Sequence, residues 1–204
     1  MNKSGRAGGN TSSGTISREQ ILATAEDVFR RFGPTKTTVM DVARALGISH
    51  GSVYRYFDSK IALRNAVVEI WLQRFSGKLE KAGAVPGPAR QRLRFWFDTL
   101  RRLKTAEYRR ETELFATYHE LVQDSQPVVS AYYDVLILQL ENIITAGIDN
   151  GEFQNCDPRT TACAMLDATT LFHHPWHAAA WHGKEIDDEF ERVWTLVMYG
   201  LLCA

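Results

Sequence analysis

T-T-V-M-D-V-A-R-A-L-G-I-S-H-G-S-V-Y-R-Y-F-D-S-K, running from Thr37 to Lys60, reads as two short helices joined by a tight turn, with the second built to be pressed against something outside the protein. In the first helix Val39, Val42, Ala43 and Leu46 recur at steps of three and four residues, which puts them on one helical face. Thr38 can accept from the backbone N–H three residues on while Asp41 reaches back. This capping-box arrangement starts the helix and places an anion at its positive end. Gly47 stops it, because glycine takes the positive φ of a tight exit turn that a β-branched residue could not. Ser49 caps the helix that follows.

Ala43 and Gly47 lie four apart and Val53 six beyond. A helix-turn-helix needs this spacing: a small residue where the helices cross, a glycine in the turn, and an apolar residue pinning the second helix from beneath. With Val53 and Phe57 turned inward, Ser49, His50, Gly51, Ser52, Tyr54, Arg55 and Tyr56 are left outward or at the flanks. They are small hydrogen-bonding side chains and aromatics with polar tips, not the Glu/Lys mixture of a solvated face. A major groove suits them, since short polar residues near a helix N-terminus let backbone and side chains approach base edges. Tyr54, Tyr56 and Phe57 also fit a core reading, the better one for Phe57, whereas the phenolic tip of Tyr54 points to a phosphate. Lys60 stands at a helix start, where the dipole disfavours a cation, and phosphate binding explains that placement.

The run Ser49-His50-Gly51-Ser52-Val53-Tyr54-Arg55-Tyr56-Phe57, then Asp58-Ser59-Lys60 and Leu63, resembles the DNA-binding signature of the TetR family of bacterial transcription regulators. That signature is a recognition helix ending in a Tyr-x-x-Phe-like run, a short turn, and a Lys opening a long helix; the resemblance covers about Ser17 to Phe75. It implies that Thr38, Tyr54, Lys60 and nearby amides fix register on phosphates, while Ser49, His50, Ser52 and Arg55 touch base edges and Gly51 permits close approach. Arg55 can serve either way.

The whole chain has 204 residues, 45% of them apolar, and a formal net charge of zero. That neutrality conceals a division. Residues 1–82 carry 13 Lys+Arg against 7 Asp+Glu, or +6, and residues 83–204 carry 11 against 17, or −6. A basic module fused to an acidic one is what a DNA reader with a separate sensing or dimerising body shows. No run reaches eighteen apolar residues and no hydrophobic signal run opens the chain, so a soluble, cytoplasmic protein without a membrane partner is expected. Cys156, Cys163 and Cys203 form no Cys-x-x-Cys pair and are odd in number, which fits reduced thiols.

Residues 1–15 are rich in Asn, Ser, Gly and Thr and are expected to be a disordered tail. Ser17 and Gln20 make a second capping box, followed by the stripe Ile21, Leu22, Ala25, Val28, Phe29 and Phe32, and Gly33-Pro34 ends the helix. Residues 16–62 thus form a three-helix DNA-binding domain, and residues 63–204 a helical regulatory and dimerisation domain. A long helix from Ser59 toward Lys81 touches both, and Val85-Pro86-Gly87-Pro88 breaks it. Further helices are expected from Ala89 to Lys104, around Glu111 to Val122, from Val129 to Ile148, from about Arg159 to Trp181, and from Ile186 to Leu202. Arg90, Arg92, Arg94, Arg101 and Arg102 share a face of the first of these, best read as solvated rather than as a second nucleic-acid surface. The junction Gly147-Ile148 through Gly151-Glu152-Phe153 to Asp157-Pro158 is similar to that between the last three helices of TetR-like regulatory domains. The same resemblance implies pairing through the last two helices into a four-helix bundle. Two recognition helices would then lie roughly 34–36 Å apart on a near-palindromic operator.

His173 and His177 lie four apart, a spacing that can grip a divalent ion if Pro175 only kinks the helix, with His182, Asp167 or Cys163 as a third ligand. The plainer reading makes them interface or pocket histidines, and no metal or other cofactor is assigned. Neither His-Glu-x-x-His nor Gly-x-Ser-x-Gly occurs, so no enzymatic activity is expected. Aromatic residues are plentiful in the body. Trp96, Tyr118, Tyr132, Phe172, His173 and His177 are the candidate lining of a small-molecule effector pocket, although packing is the commoner role for any one of them. The expectation is an all-α, homodimeric, ligand-released repressor. The alternative is a helical small-molecule- or metal-binding protein with a vestigial helix-turn-helix.

Overall fold

The computed structural model describes residues 16–33, 36–110, 125–183 and 185–202. Within them the regular structure is helical, with a single antiparallel bridge between Phe153 and Leu202. The all-α class follows the periodicity of the sequence.

Four helices make the N-terminal part: α1 (Arg18–Phe32), α2 (Val39–Leu46), α3 (His50–Tyr54) and the start of α4 (Lys60–Gly83). Both capping boxes form. The Ser17 amide donates to Gln20 Oε1 at 2.9 Å and the Thr38 amide to Asp41 Oδ2 at 2.8 Å. Hydrogen bonds from the Thr38 hydroxyl and amide hold the Asp41 carboxyl below its ordinary pKa. Ile21, Leu22, Ala25, Val28 and Phe29 bury one face of α1 against Val39, Val42, Ala43, Val53 and Phe57. Phe32, expected in that stripe, is instead 61% exposed, because Gly33 ends the helix there and the stripe has already turned past the core. Each fully buried aliphatic or aromatic side chain contributes about 1.5–3 kcal/mol.

The core of this module continues along α4 through Leu63, Val67, Val68, Trp71 and Phe75, while Leu79 and the chain beyond belong to a second core. The boundary expected at residue 62 therefore falls inside one uninterrupted helix of 24 residues, about 36 Å long. Arg74 holds α4 to α1 with a two-pronged bond to Glu26 at 2.8 and 2.9 Å.

The body contains α5 (Ala89–Arg110), α6 (Gln126–Asp149), α7 (Pro158–Ala168) and α8 (Ile186–Leu201). The helix expected around Glu111 to Val122 lies outside the described residues. Leu93, Trp96, Phe97 and Leu100 of α5 are fully enclosed by Leu140 and Ile144 of α6, Leu166 of α7 and Phe190 of α8. Gly147 lets α6 meet the ring of Phe153, since a Cβ there would stand 2.1 Å from Phe153 Cδ2. Glu152, read from sequence only as part of a turn, reaches across to accept from the Ala89 and Arg90 amides at 2.8 and 3.1 Å. It caps α5 from 63 positions away.

The helix expected from Arg159 to Trp181 is not continuous. It stops at Ala168, and two 3-10 stretches follow, Thr170–Phe172 and Pro175–His182. The Thr169 and Thr170 hydroxyls donate to the carbonyls of Met165 and Leu166 at 2.7 and 3.1 Å, which competes with the backbone ladder. Pro175 then removes a donor and forces His174 to φ −80°, ψ 129°.

Candidate nucleic-acid interface and effector cavity

The turn between α2 and α3 is built from backbone bonds. Gly47 sits at φ 66°, ψ 29°, where its amide reaches Arg44 O at 3.1 Å and the Ile48 amide reaches Ala43 O at 3.0 Å. This double closure fixes the angle at which α3 leaves. Ser49 Oγ accepts from the Ser52 amide at 3.2 Å and lies 2.9 Å from Ser52 Oγ, so the two hydroxyls hold each other at the start of α3. Val53 is wholly buried and Phe57 nearly so, which pins the helix from beneath as expected.

Outward stand Ser49, His50, Gly51, Tyr54 and Arg55, with Ser52 half-buried beside them. His50 and Tyr54 meet edge to face at 6.2 Å. A Cβ on Gly51 would touch nothing nearer than Ser49 Oγ at 3.8 Å, so nothing inside the molecule requires glycine there. Its smallness is available to a body approaching from outside. Thr38 is exposed at the head of α2, and Lys60 opens α4 directly after its cap, Ser59, whose hydroxyl accepts from the Ala62 amide at 3.0 Å.

Tyr56 does not join this surface. It is half-buried, and its hydroxyl donates to Ile16 O at 2.6 Å, tying the chain ahead of α1 to the α3–α4 turn. Arg18 closes the same corner by lying over the Phe57 ring at 5.2 Å. Tyr56 lies past the end of α3, in the turn toward α4, and that turn carries it inward.

Of the effector-pocket candidates, Trp96 is fully buried and donates to Gln139 Oε1 at 2.9 Å, which makes it core rather than lining. Tyr118 lies outside the described residues. Phe172 borders one cavity of about 510 Å³ with Arg101, Trp181 and Asp187, and Tyr132 borders another of about 480 Å³ between α4, α5, α6 and the second 3-10 stretch. His173 is buried with Nε2 3.3 Å from Leu166 O, and burial pushes its pKa down to about 3. His177 is half-buried, 6.4 Å from the ring of His174, and His174 rather than His173 lines the second cavity. The break at Thr169–Pro175 separates His173 and His177 onto different stretches, so they do not form the four-residue helical pair of a metal site. No cluster able to hold a metal occurs among the described residues.

The arginine face of α5 divides: Arg90 and Arg102 are exposed, as a solvated face would be, while the other three are engaged within the molecule. Arg94 binds Glu191 and Asp98, Arg101 binds Asp187 while lying 3.8 Å from the Phe190 ring centre, and Arg92 donates to Gly83 O at 2.7 Å.

One residue of the second cavity escaped the sequence reading. Lys104 is only 5% exposed, with its ammonium 4.4, 5.3 and 5.6 Å from the ring centres of Phe75, Trp71 and Tyr132. Burial lowers its pKa to about 8. The signal was available, for Lys104 stands in register with Leu93, Phe97 and Leu100 on the apolar face of α5. No described helix is long and apolar enough to cross a membrane.

Residues 21–67 match the family model described as bacterial regulatory proteins, tetR family, and residues 89–194 match that of the Tetracyclin repressor-like C-terminal domain. The chain is 29% identical over 152 residues to the HTH-type transcriptional regulator YfiR of Bacillus subtilis, covering 70% of each chain. It is 24% identical over 207 residues to the HTH-type transcriptional repressor KstR2 of Rhodococcus jostii, covering 90% of each. The crystal structure of the regulator FadR from Bacillus subtilis, in complex with stearoyl-CoA, superposes with a TM-score of 0.61 at 18% identity over 90% of this chain and 99% of that one. Because the second family match alone spans half the residues and the first falls on the helix pair described above, the chain belongs to the TetR family of bacterial transcriptional regulators.

Proposed function

We propose that the protein is a ligand-responsive repressor that binds a near-palindromic operator as a homodimer and is released by a small molecule. The observation that carries this reading is the face of α3: Ser49, His50, Gly51, Tyr54 and Arg55 stand outward on a helix whose opposite side is fully packed. Midway along α4, at Trp71 and Leu72, lies a cavity, so one helix adjoins both sites. That KstR2 is a repressor and that FadR was solved with stearoyl-CoA support the same reading.

In this reading Thr38, Tyr54 and Lys60 fix register on phosphates, Ser49, His50, Ser52 and Arg55 read base edges, and Tyr56 steadies the module from within. Release follows when an effector binds more tightly to a conformer whose recognition helices are wrongly spaced, and the shift is limited by that difference in affinity. Dimerisation uses the outer faces of α7 and α8. Thr160, Ala164 and Ala168 give α7 an exposed row of small residues that admits a close neighbour, and α8 carries Leu196 and Tyr199 at 74% and 86% exposure.

The test is footprinting on genomic DNA with wild type and Arg55→Ala. A palindromic footprint is expected, and the variant loses about 1–3 kcal/mol on it with relaxed discrimination. Equal loss on cognate and scrambled duplex assigns Arg55 to the backbone, and the absence of any footprint removes the regulator reading.

A further inference from the structure

The cavity between α4, α5, α6 and the second 3-10 stretch has a charged floor. Lys104 is more than nine-tenths buried; among the described residues the ring faces of Phe75, Trp71 and Tyr132 surround its ammonium, and the charge of Glu107, three residues on, does not offset the burial. Beside it the Tyr132 hydroxyl is buried and, among the described residues, has no hydrogen-bond partner. A buried ammonium and a buried phenol, both open to the same space, are costly to keep unless something fills their donor capacity. Aromatic faces attract a cation but leave its N–H donors unused.

The walls set the rest of the ligand. Trp71, Leu72, Val129, Tyr133 and Pro175 are apolar or aromatic there, and the space of about 480 Å³ is of the size that takes a small organic molecule. The one acid at the rim, Asp134, is already bridged to Arg159 at 2.9 Å. One ammonium and one phenol O–H supply two donor groups and a single positive charge. They match the two oxygens and single charge of a carboxylate, whereas a phosphate brings more acceptors and up to twice the charge.

Resting on the regulator reading given above, we infer that the effector is a monocarboxylic acid with an apolar body, its carboxylate held by Lys104 Nζ and Tyr132 Oη and its body laid against Trp71, Leu72 and Tyr133. The site favours anions because the cation is already in place and buried, so an ion pair there is screened less than one at the surface. Burial keeps the lysine's proton affinity low in the empty site, and an arriving carboxylate restores it.

The experiment uses the full-length protein and two pairs of probes differing only in the head group, 4-phenylbutyrate with 4-phenylbutan-1-ol and decanoate with decan-1-ol, titrated by calorimetry and by quenching of tryptophan fluorescence. Wild type binds each acid about tenfold or more tightly than its alcohol, the usual scale for one charge-assisted pair at a buried cation. Lys104→Met, whose folding is checked by thermal melting, brings the acid-to-alcohol ratio to about one while alcohol binding persists. Tyr132→Phe lowers the ratio by several-fold, and with the wild-type ratio it decides the matter if Lys104→Met does not fold. Equal binding of acid and alcohol by wild type, an acid preference surviving in Lys104→Met, or no binding of any probe overturns the inference. Gel retardation on the same preparations separates the two readings. Protein that shifts DNA but ignores acids loses only the head-group assignment, and protein that takes acids but shifts no DNA loses only the regulator assignment.

Discussion

Gly47 and Gly51 stand four residues apart and answer to opposite constraints. Gly47 holds φ 66° with open space around its missing Cβ, so Gly47→Ala is penalised by backbone conformation alone. The expected loss is about 1–2 kcal/mol in chemical denaturation. Gly51 has ordinary φ and no close neighbour, so Gly51→Ala is expected to melt no lower than wild type while losing operator affinity through the methyl group it adds to the outer face. Equal destabilisation by the two would show that Gly51 serves the fold.

Buried titratable groups give a second residue-scale prediction. Lys104 falls from 10.5 free to about 8 folded, so between those values the unfolded chain binds more protons than the folded one. The penalty is full below pH 8 and fades as pH rises to 10.5. Lys104→Met is therefore expected to exceed wild-type stability by up to about 3 kcal/mol at pH 7, with the gain shrinking toward pH 10.5. His173 falls from 6.5 to about 3, so wild type loses stability as pH drops below 6.5, and His173→Gln flattens that acid limb in melting curves. The inward face of α3 was readable from Val53 and Phe57 because apolar spacing is a local signal. Tyr56 was misplaced because its partner, Ile16 O, lies 40 positions away.

Among the elements, α5 owes its start to a distant side chain. The Glu152 carboxylate receives the first two amides of α5, so Glu152→Ala leaves them unsatisfied and lowers stability by about 0.5–2 kcal/mol, whereas Glu152→Gln, which keeps one acceptor, recovers part of that. Both are read by urea denaturation. Capping by neighbours three residues apart, at Ser17, Thr38 and Ser49, could be read from sequence because donor and acceptor share a turn. Capping across 63 positions could not. The break after Ala168 lies between these cases. Pro175 was visible, but its effect depended on Thr169 and Thr170 turning their hydroxyls back onto α7, and hydropathy does not encode that choice.

At the scale of the molecule, the exposed pair Leu196 and Tyr199 on α8 is expected to be covered by a second copy. Leu196→Glu with Tyr199→Glu should yield a monomer by sedimentation with an unchanged helical signal, and should weaken operator binding far more than binding of the acid probes. A dimer that survives both changes moves the interface elsewhere. Charge separation along the chain, +6 before residue 83 and −6 after it, foreshadowed two bodies of different business, but it said nothing of their shared helix.

That shared helix has one further consequence. Glu26 clamps Arg74 well along α4, so the reading head cannot slide on its stem and must follow wherever the stem points. The cavity meets α4 at Trp71 and Leu72, about 17 Å from its first residue, so a tilt of about 10° there swings the Lys60 end by roughly 3 Å. In the proposed homodimer, two such rods joined at their base would act like the legs of a pair of callipers. A molecule small enough to hide beside Trp71 can then open or narrow their grip by enough to miss a groove.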